Sequence, residues 1–519
     1  MKNSIDLFDL IKSLEKTEKR YFKLKMKTSD SNLQQNMVLL FDAIDKQNTY
    51  NENKIIKKFS DKTFVKRLTV TKARLYNAIL RTLEAYHSST SSDSHFIGMV
   101  EQAEILFEKG LFKQAQNLLF TTKKKAVEEN RFIVLQRILK TERAHFNKLV
   151  VDNSHQNKKN KDLNLTILDQ HQNLLNFNRI WVKFHYELIN STMPLTGTKI
   201  VDKVLTDYEQ NLLKDKALSL SIGANVHWVS LNSFVSSLNG ELAKCLEYRL
   251  QLVDIFEENP YLIGSYTIAY INQLNNVIFS QYHLKLYNEA LSSVYKLENL
   301  KNKVNLKLNS KNLLYINVRT HIARITIYRT TCNISLATSY LKHIKAFYLE
   351  HSYLMELRNQ ISFLINIALV YFFNGHYNKT TDACNTILGF DIKKTYTENF
   401  LTSNILCLIC YMELGIENLF KSVYQSTIRF LTDKKDAYEI AHLIVKHLKY
   451  INNIPKKRDV INKWVVFKAE LLKASDESKN SKSFIDEIKF IDYIESKIIE
   501  KPILKVLSSK IIKLDKQLI

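Results

Sequence analysis

The chain has 519 residues, 45% of them hydrophobic, with 75 Lys and Arg against 52 Asp and Glu and only 9 Gly and 4 Pro. That length exceeds one ordinary hydrophobic core and that apolar content excludes a mainly disordered chain, so several domains or a repeating array are expected. Gly and Pro ordinarily make up about 7% and 5% of a chain; sheets with tight hairpins need them at their corners, so their scarcity excludes a β architecture and predicts an all-α chain.

A formal charge of +23 invites a nucleic-acid reading. The excess is mostly Lys, interleaved with acids, and it rises together with Asn, Ile, Tyr and Phe as a coding bias would produce. Cys245, Cys332, Cys384, Cys407 and Cys410 sit in apolar segments without framework spacing, which fits a reducing compartment. Asp6, Asp9 and Lys12 interrupt any signal-peptide core, and the most apolar run, 363–373, carries Asn366 and falls short of the roughly 20 residues a membrane span needs. The expectation is a cytoplasmic protein with no membrane span.

In chain order, helices are predicted from Ser4 to about Lys27, then over 33–45, 52–59 and about 69–86, closing at the Ser-rich stretch 87–94. This defines an N-terminal helical domain, 1-90. At about 100° per residue, Leu7, Leu10, Ile11, Leu14 and Tyr21 share one side of the first helix, while Lys12, Lys16, Lys19, Lys23 and Lys27, with Arg20 nearby, form a basic stripe. The stripe has three readings: a solvated face with Tyr21 and Phe22 packed inward, a track for phosphates or an acidic partner, or a membrane-surface helix. A short helix, a turn and a longer helix carrying Lys66, Arg67, Lys72, Arg74 and Arg81 are compatible with a helix-turn-helix variant.

Beyond residue 95 one pattern recurs: an apolar-periodic helix, a short elbow, an aromatic or Leu two residues later and a small residue three further on. It is clearest at Gly375, Tyr377 and Thr380, preceded by Ala368 and Tyr371, and at Gly110, Phe112 and Ala115, preceded by Ala103. Tyr287 and Ala290 repeat its second half without the Gly, and Gly240 and Gly415 mark looser copies. In this logic Gly caps the first helix in a left-handed conformation, the aromatic fills the gap and the small residue lets the backbones approach. A unit of about 40 to 47 residues implies further elbows near 153, 196 and 332, and another at 452–458. Pro194 and Pro455 fall at proposed elbows, Pro260 between units and Pro502 between the last two helical segments.

The stretch INIALVYFFNGHYNKTTDACNTIL resembles a tetratricopeptide repeat through Leu364, Ala368, Tyr371, Gly375, Tyr377 and Thr380, with Thr380 where Ala is usual. MVEQAEILFEKGLFKQAQNLL is similar through Ala103, Gly110, Phe112 and Ala115. Units of that family run about 34 residues, so the longer period here implies longer helices or linkers. The opening FDLIKSLEKTEKRYF is also similar to a group of uncharacterised bacterial helical-repeat proteins, a resemblance that brings no activity with it.

Catalytic and cofactor signatures are missing: there is no Gly-rich phosphate loop, no His-Glu-x-x-His, no Gly-x-Ser-x-Gly and no dinucleotide fingerprint. Cys407 and Cys410 have half-zinc-site spacing but lie in an apolar helical run with no second pair, which reads as two core thiols. The chain is therefore expected to be an α-solenoid of stacked helix-turn-helix pairs, with a 1-90 N-terminal domain, tetratricopeptide-like repeats over 95-450 and a helical cap over 451-519. No catalytic residue, cofactor, metal or small-molecule substrate is expected. The functional expectation is a non-enzymatic scaffold or adaptor whose concave groove takes an acidic or extended protein segment. The alternative is a nucleic-acid-binding regulator using the first 90 residues.

Overall fold

The computed structural model describes residues 4–27, 32–87, 92–145, 154–190, 197–302, 308–432, 438–454, 457–477, 488–515 and 517, and is all-α, with no strand among them. The first five helices are α1 (Ser4–Ser13), α2 (Lys16–Lys27), α3 (Asn32–Asp45), α4 (Glu52–Lys58) and α5 (Leu68–His87). The single opening helix is therefore two. Ser13 Oγ donates to the Leu10 carbonyl, and the Glu15 N–H is taken by the Glu18 carboxylate at 2.8 Å, capping a new start rather than continuing the old ladder. Leu7, Ile11, Phe22, Leu40, Phe41, Ile44, Leu75 and Ile79 are buried in one shared core.

The next helices are α6 (Ser92–Glu108), α7 (Phe112–Glu128), α8 (Phe132–Ala144), α9 (Ser154–Asn190), α10 (Gly197–Val204), α11 (Asp207–Lys214), α12 (Ile222–Leu238), α13 (Leu242–Glu258) and α14 (Pro260–Ser265). Helices α6, α7 and α8 pack on one another, and α9 packs on α8, α10 and α12. Then come α15 (Thr267–His283), α16 (Tyr287–Glu298), α17 (Ser310–Thr330), α18 (Ile334–His351), α19 (Leu357–Phe373), α20 (Tyr377–Leu388), α21 (Thr397–Leu414), α22 (Glu417–Thr432), α23 (Glu439–Asn452), α24 (Lys457–Glu477), α25 (Phe490–Ile498) and α26 (Ile503–Ser508). The chain divides into two units, one of Met1–Glu241 with Asp254–Thr267 and one of Leu242–Val253 with Ile268–Ile519.

Within the second unit each helix from α16 to α24 touches the next, and α17, α19, α21 and α23 also touch one another in series. This is the arrangement of a helical solenoid, in which each pair covers the apolar face its neighbour leaves open. The four helices of that series begin at Ser310, Leu357, Thr397 and Glu439, steps of 47, 40 and 42 residues.

The joints explain how the sequence sets this period. At Gly375, φ is +73°, the Gly375 N–H donates to the Phe372 carbonyl and the next N–H, of His376, donates to the Tyr371 carbonyl. This is the Schellman ending of a helix, which satisfies carbonyls the helix itself leaves over. The same pair of bonds recurs at Gly110, Gly240 and Gly415, at Lys285, and at Cys332, the elbow that the spacing calls for near 332. It also closes the turn from α7 to α8 at Asn130, which the sequence pattern did not mark. Five residues past the left-handed residue of each of these seven joints the side chain is buried: Ala115, Leu135, Cys245, Ala290, Ala337, Thr380 and Phe420. The elbows expected near 153 and 196, with Pro194 and Pro455, lie outside the described residues.

The last stretch of chain turns back over these joints. Tyr493 of α25 is fully buried against Phe372, Trp464 and Phe490, and its hydroxyl donates to Glu413 near the α21–α22 elbow. Lys497 pairs with the same Glu413 at 2.5 Å. Farther on, the Ile512 N–H donates to the Thr331 carbonyl at 3.0 Å and Asn333 Nδ2 to the Ile512 carbonyl at 2.9 Å. The Asp515 N–H then reaches Asn288 Oδ1 at 2.9 Å. Residues 493–515 thus visit the joints of the second unit in reverse order, from 413 back to 288.

Candidate partner interface

The basic stripe is split by the fold into engaged and free cations. Lys12 donates from Nζ to the Asp45 carbonyl at 2.6 Å, Lys19 pairs with the Asp45 carboxylate at 2.7 Å and Lys23 with Asp42 at 2.6 Å. Lys12 and Lys23 also lie 5.5 Å from the ring centres of Phe8 and Phe41. These three lysines fasten α1 and α2 to α3. Lys16, Arg20 and Lys27 are exposed, and no ion pair among the described residues engages them. They surround Leu24, which is 55% exposed, in a shallow cleft of about 370 Å³ bordered also by Lys19 and Lys23. Tyr21 rests on Tyr86 with ring centres 5.0 Å apart and Phe22 on Phe41 at 4.8 Å, so the aromatics serve the core.

The second basic group divides in the same way. Lys72 is buried, 2.8 Å from Glu52 and over the ring of Tyr50, so it joins α5 to α4. Lys66, Arg67, Arg74 and Arg81 are exposed and outside every ion pair of the described residues. Arg74 and Arg81 stand two turns apart along one side of α5, the side that also leaves Val70 and Asn77 exposed, and Arg67 ends the short 3-10 turn Thr63–Arg67 just before that helix.

The repeat positions are structural. Ala103, Ala115, Ala290 and Ala368 have no exposed surface. The aromatic after each elbow meets the aromatic five residues before it: Phe112 meets Phe107 at 6.4 Å, Tyr287 meets Tyr282 at 6.1 Å and Tyr377 meets Phe372 at 6.2 Å. Tyr371 accepts a hydrogen bond from Lys345 at 2.9 Å. Thr380, in the place of the usual Ala, is fully buried and hides its hydroxyl by donating to the His376 carbonyl at 3.1 Å.

A concave groove requires one open face on the inner helices. Every residue of 363–370 in α19 and of 400–411 in α21 is buried, so those two helices have no open face over these stretches. A half-open polar side remains on α15 and α17, where Tyr315 donates to Asn272 at 2.6 Å, Arg319 donates to Tyr315 at 2.9 Å and Tyr282 bonds Thr330 at 2.9 Å. On its other side α17 packs the half-buried His321 against Tyr340 and Phe347 of α18, with Nδ1 2.6 Å from the Tyr340 hydroxyl, and desolvation there pushes its pKa down to about 4, with the nearby Arg324 adding to the effect. The hydrogen bond with Cys407 and then burial raise the Cys384 thiol, and burial raises that of Cys410, which keeps these two thiols protonated and unreactive.

Among the described residues no group of three or more His, Cys, Asp or Glu is placed to hold a metal ion, and no described helix is long and apolar enough to cross a membrane. No protein-family model matches this chain, and no curated protein matches it.

Proposed function

We propose that the chain is a non-enzymatic adaptor, a tetratricopeptide-like helical-repeat protein, that holds an acidic segment of a protein partner. The reading rests on one observation: Lys16, Arg20 and Lys27 stand uncompensated around the exposed Leu24, while their neighbours Lys12, Lys19 and Lys23 are consumed inside the fold. Cations around an exposed apolar side chain suit a segment that alternates acidic and apolar residues, because the charges steer and orient while the apolar contact supplies desolvation. The half-open side of α15 and α17 offers a second, more polar place for an extended segment. In-cell crosslinking followed by purification tests the reading: it predicts one acidic protein recovered in stoichiometric amount, and its loss with Lys16→Glu, Arg20→Glu and Lys27→Glu. Recovery of no protein at that yield contradicts it.

The row of Arg67, Arg74 and Arg81 favours a second reading, in which α5 lies against a nucleic-acid backbone. That reading predicts retention on duplex DNA, with log affinity falling by about 0.9 per phosphate contact for each log unit of salt. Arg67→Glu, Arg74→Glu and Arg81→Glu together would abolish the retention, and an unchanged mobility shift would remove the idea.

A further inference from the structure

Helices α24, α25 and α26 border an open cavity of about 490 Å³ that none of the residues invoked above for partner binding lines. Four lysines converge on it: Lys468 from α24, Lys501 from the turn before α26, Lys505 from α26 and Lys510 just past its end. Four ammonium groups sharing one cavity repel, and the fold answers with two carboxylates. Glu495 accepts from Lys468 at 2.7 Å and from Lys510 at 2.6 Å, and Asp492 accepts from Lys510 at 2.6 Å. These acids offset two of the four charges and hold the Lys468 and Lys510 side chains in place. Among the described residues no acid engages Lys501 or Lys505.

Ile498, Ile499 and Val506 give the lining its apolar part, Ile499 being 50% exposed, and Ser509, which also lines it, turns its hydroxyl to the Val506 carbonyl at 2.7 Å. Small-ligand sites typically span about 300–1,000 Å³ and combine apolar walls with a few fixed polar groups, and this cavity has both parts. We propose that it binds a small organic phosphate, with the phosphoryl group between Lys501 and Lys505 and the apolar body against Ile498, Ile499 and Val506. Two uncompensated ammonium groups match the charge of a phosphoryl dianion, and Lys, a point charge with three donors, meets phosphate without the fixed fork that Arg requires. Glu495, ionised between its two lysines, repels an anion on its own side and so directs the phosphoryl group toward Lys501 and Lys505.

Isothermal titration of the full chain with phenyl phosphate, inorganic phosphate and phenol tests this. Phenyl phosphate is expected to bind at least tenfold more tightly than inorganic phosphate, and phenol not at all. Lys501→Ala with Lys505→Ala should weaken phenyl phosphate at least tenfold. Both side chains are exposed, so an unchanged unfolding midpoint is expected and confirms an intact fold. Ile499→Ser should bring phenyl phosphate down toward the affinity of inorganic phosphate. No heat from phenyl phosphate, binding that the double variant retains, or equal affinity for the two phosphates overturns the proposal.

Discussion

Helix α2 carries Lys16, Lys19, Arg20, Lys23 and Lys27 and buries only Phe22 along its length, whereas α21 has no exposed and no charged residue over its central stretch 400–411. Both are helices of ordinary length, and the difference lies in what covers them. A helix buried all round persists only where neighbours surround it on every side, and α21 has α19, α20, α22 and α23 around it. Helix α2 packs on α3 and α5 and leaves Lys16, Arg20, Leu24 and Lys27 to solvent. The solenoid interior thus commits its side chains to neighbouring helices, and readable chemistry is left to the helices outside it.

If that contrast holds, changes in the two regions should differ sharply in size. The largest effect is expected for Tyr493→Ala, which empties a fully buried site between Phe372, Trp464 and Phe490; a loss of about 3–5 kcal/mol should appear in denaturant unfolding. A loss below about 1 kcal/mol would mean that the returning chain only decorates the solenoid.

Next comes pH. His321 stays neutral down to about 4 when folded, because burial disfavours its charge and Arg324, His343, Lys301 and His351 add positive field, whereas an unfolded His titrates near 6.5. Between about pH 6.5 and 4 the unfolded chain therefore binds the extra proton, and stability must fall as pH drops through that window. Burial lowers His171, His227 and His283 as well, which adds to the slope. Thermal unfolding of His321→Gln across that window should show a shallower dependence than the parent chain, and an identical slope would mean that His321 is solvated.

Smaller effects are expected at the elbows. A Cβ at Gly375 meets nothing within 4 Å, so Gly375→Ala tests the left-handed φ of +73° alone, at a cost of about 1–2 kcal/mol. Lys285 holds φ +62° without being Gly, so Lys285→Gly should raise the unfolding midpoint, by up to about 1 kcal/mol of stability. Smallest of all, Lys16→Ala, Arg20→Ala and Lys27→Ala are each expected to shift stability by less than about 0.5 kcal/mol.

Four elbows are legible because the glycines at 110, 240, 375 and 415, each between two apolar-periodic helices, are the left-handed residues, and the spacing of those elbows points to Cys332. Asn130 and Lys285 adopt the same conformation without Gly; Tyr287 and Ala290 mark the elbow at Lys285, and no residue pattern marks the one at Asn130. The break between α1 and α2 was hidden because the hydrophobic period runs straight through Leu14; a side-chain cap from Glu18 decides it. Which lysines of the stripe are free was equally hidden. It depends on Asp42 and Asp45, which α3 brings across from another part of the chain. The return of the C-terminal segment rests on contacts such as Asn333 with Ile512, 179 residues apart, for which no local pattern exists.

The division of the α2 cations is tested most directly by comparing two triple variants of the full chain for binding to a polyglutamate probe and for denaturant stability. Lys16→Ala, Arg20→Ala and Lys27→Ala should abolish binding and leave the unfolding midpoint in place, while Lys12→Ala, Lys19→Ala and Lys23→Ala should lower the midpoint. Equal loss of binding in both triples, with equal stability, would contradict the division.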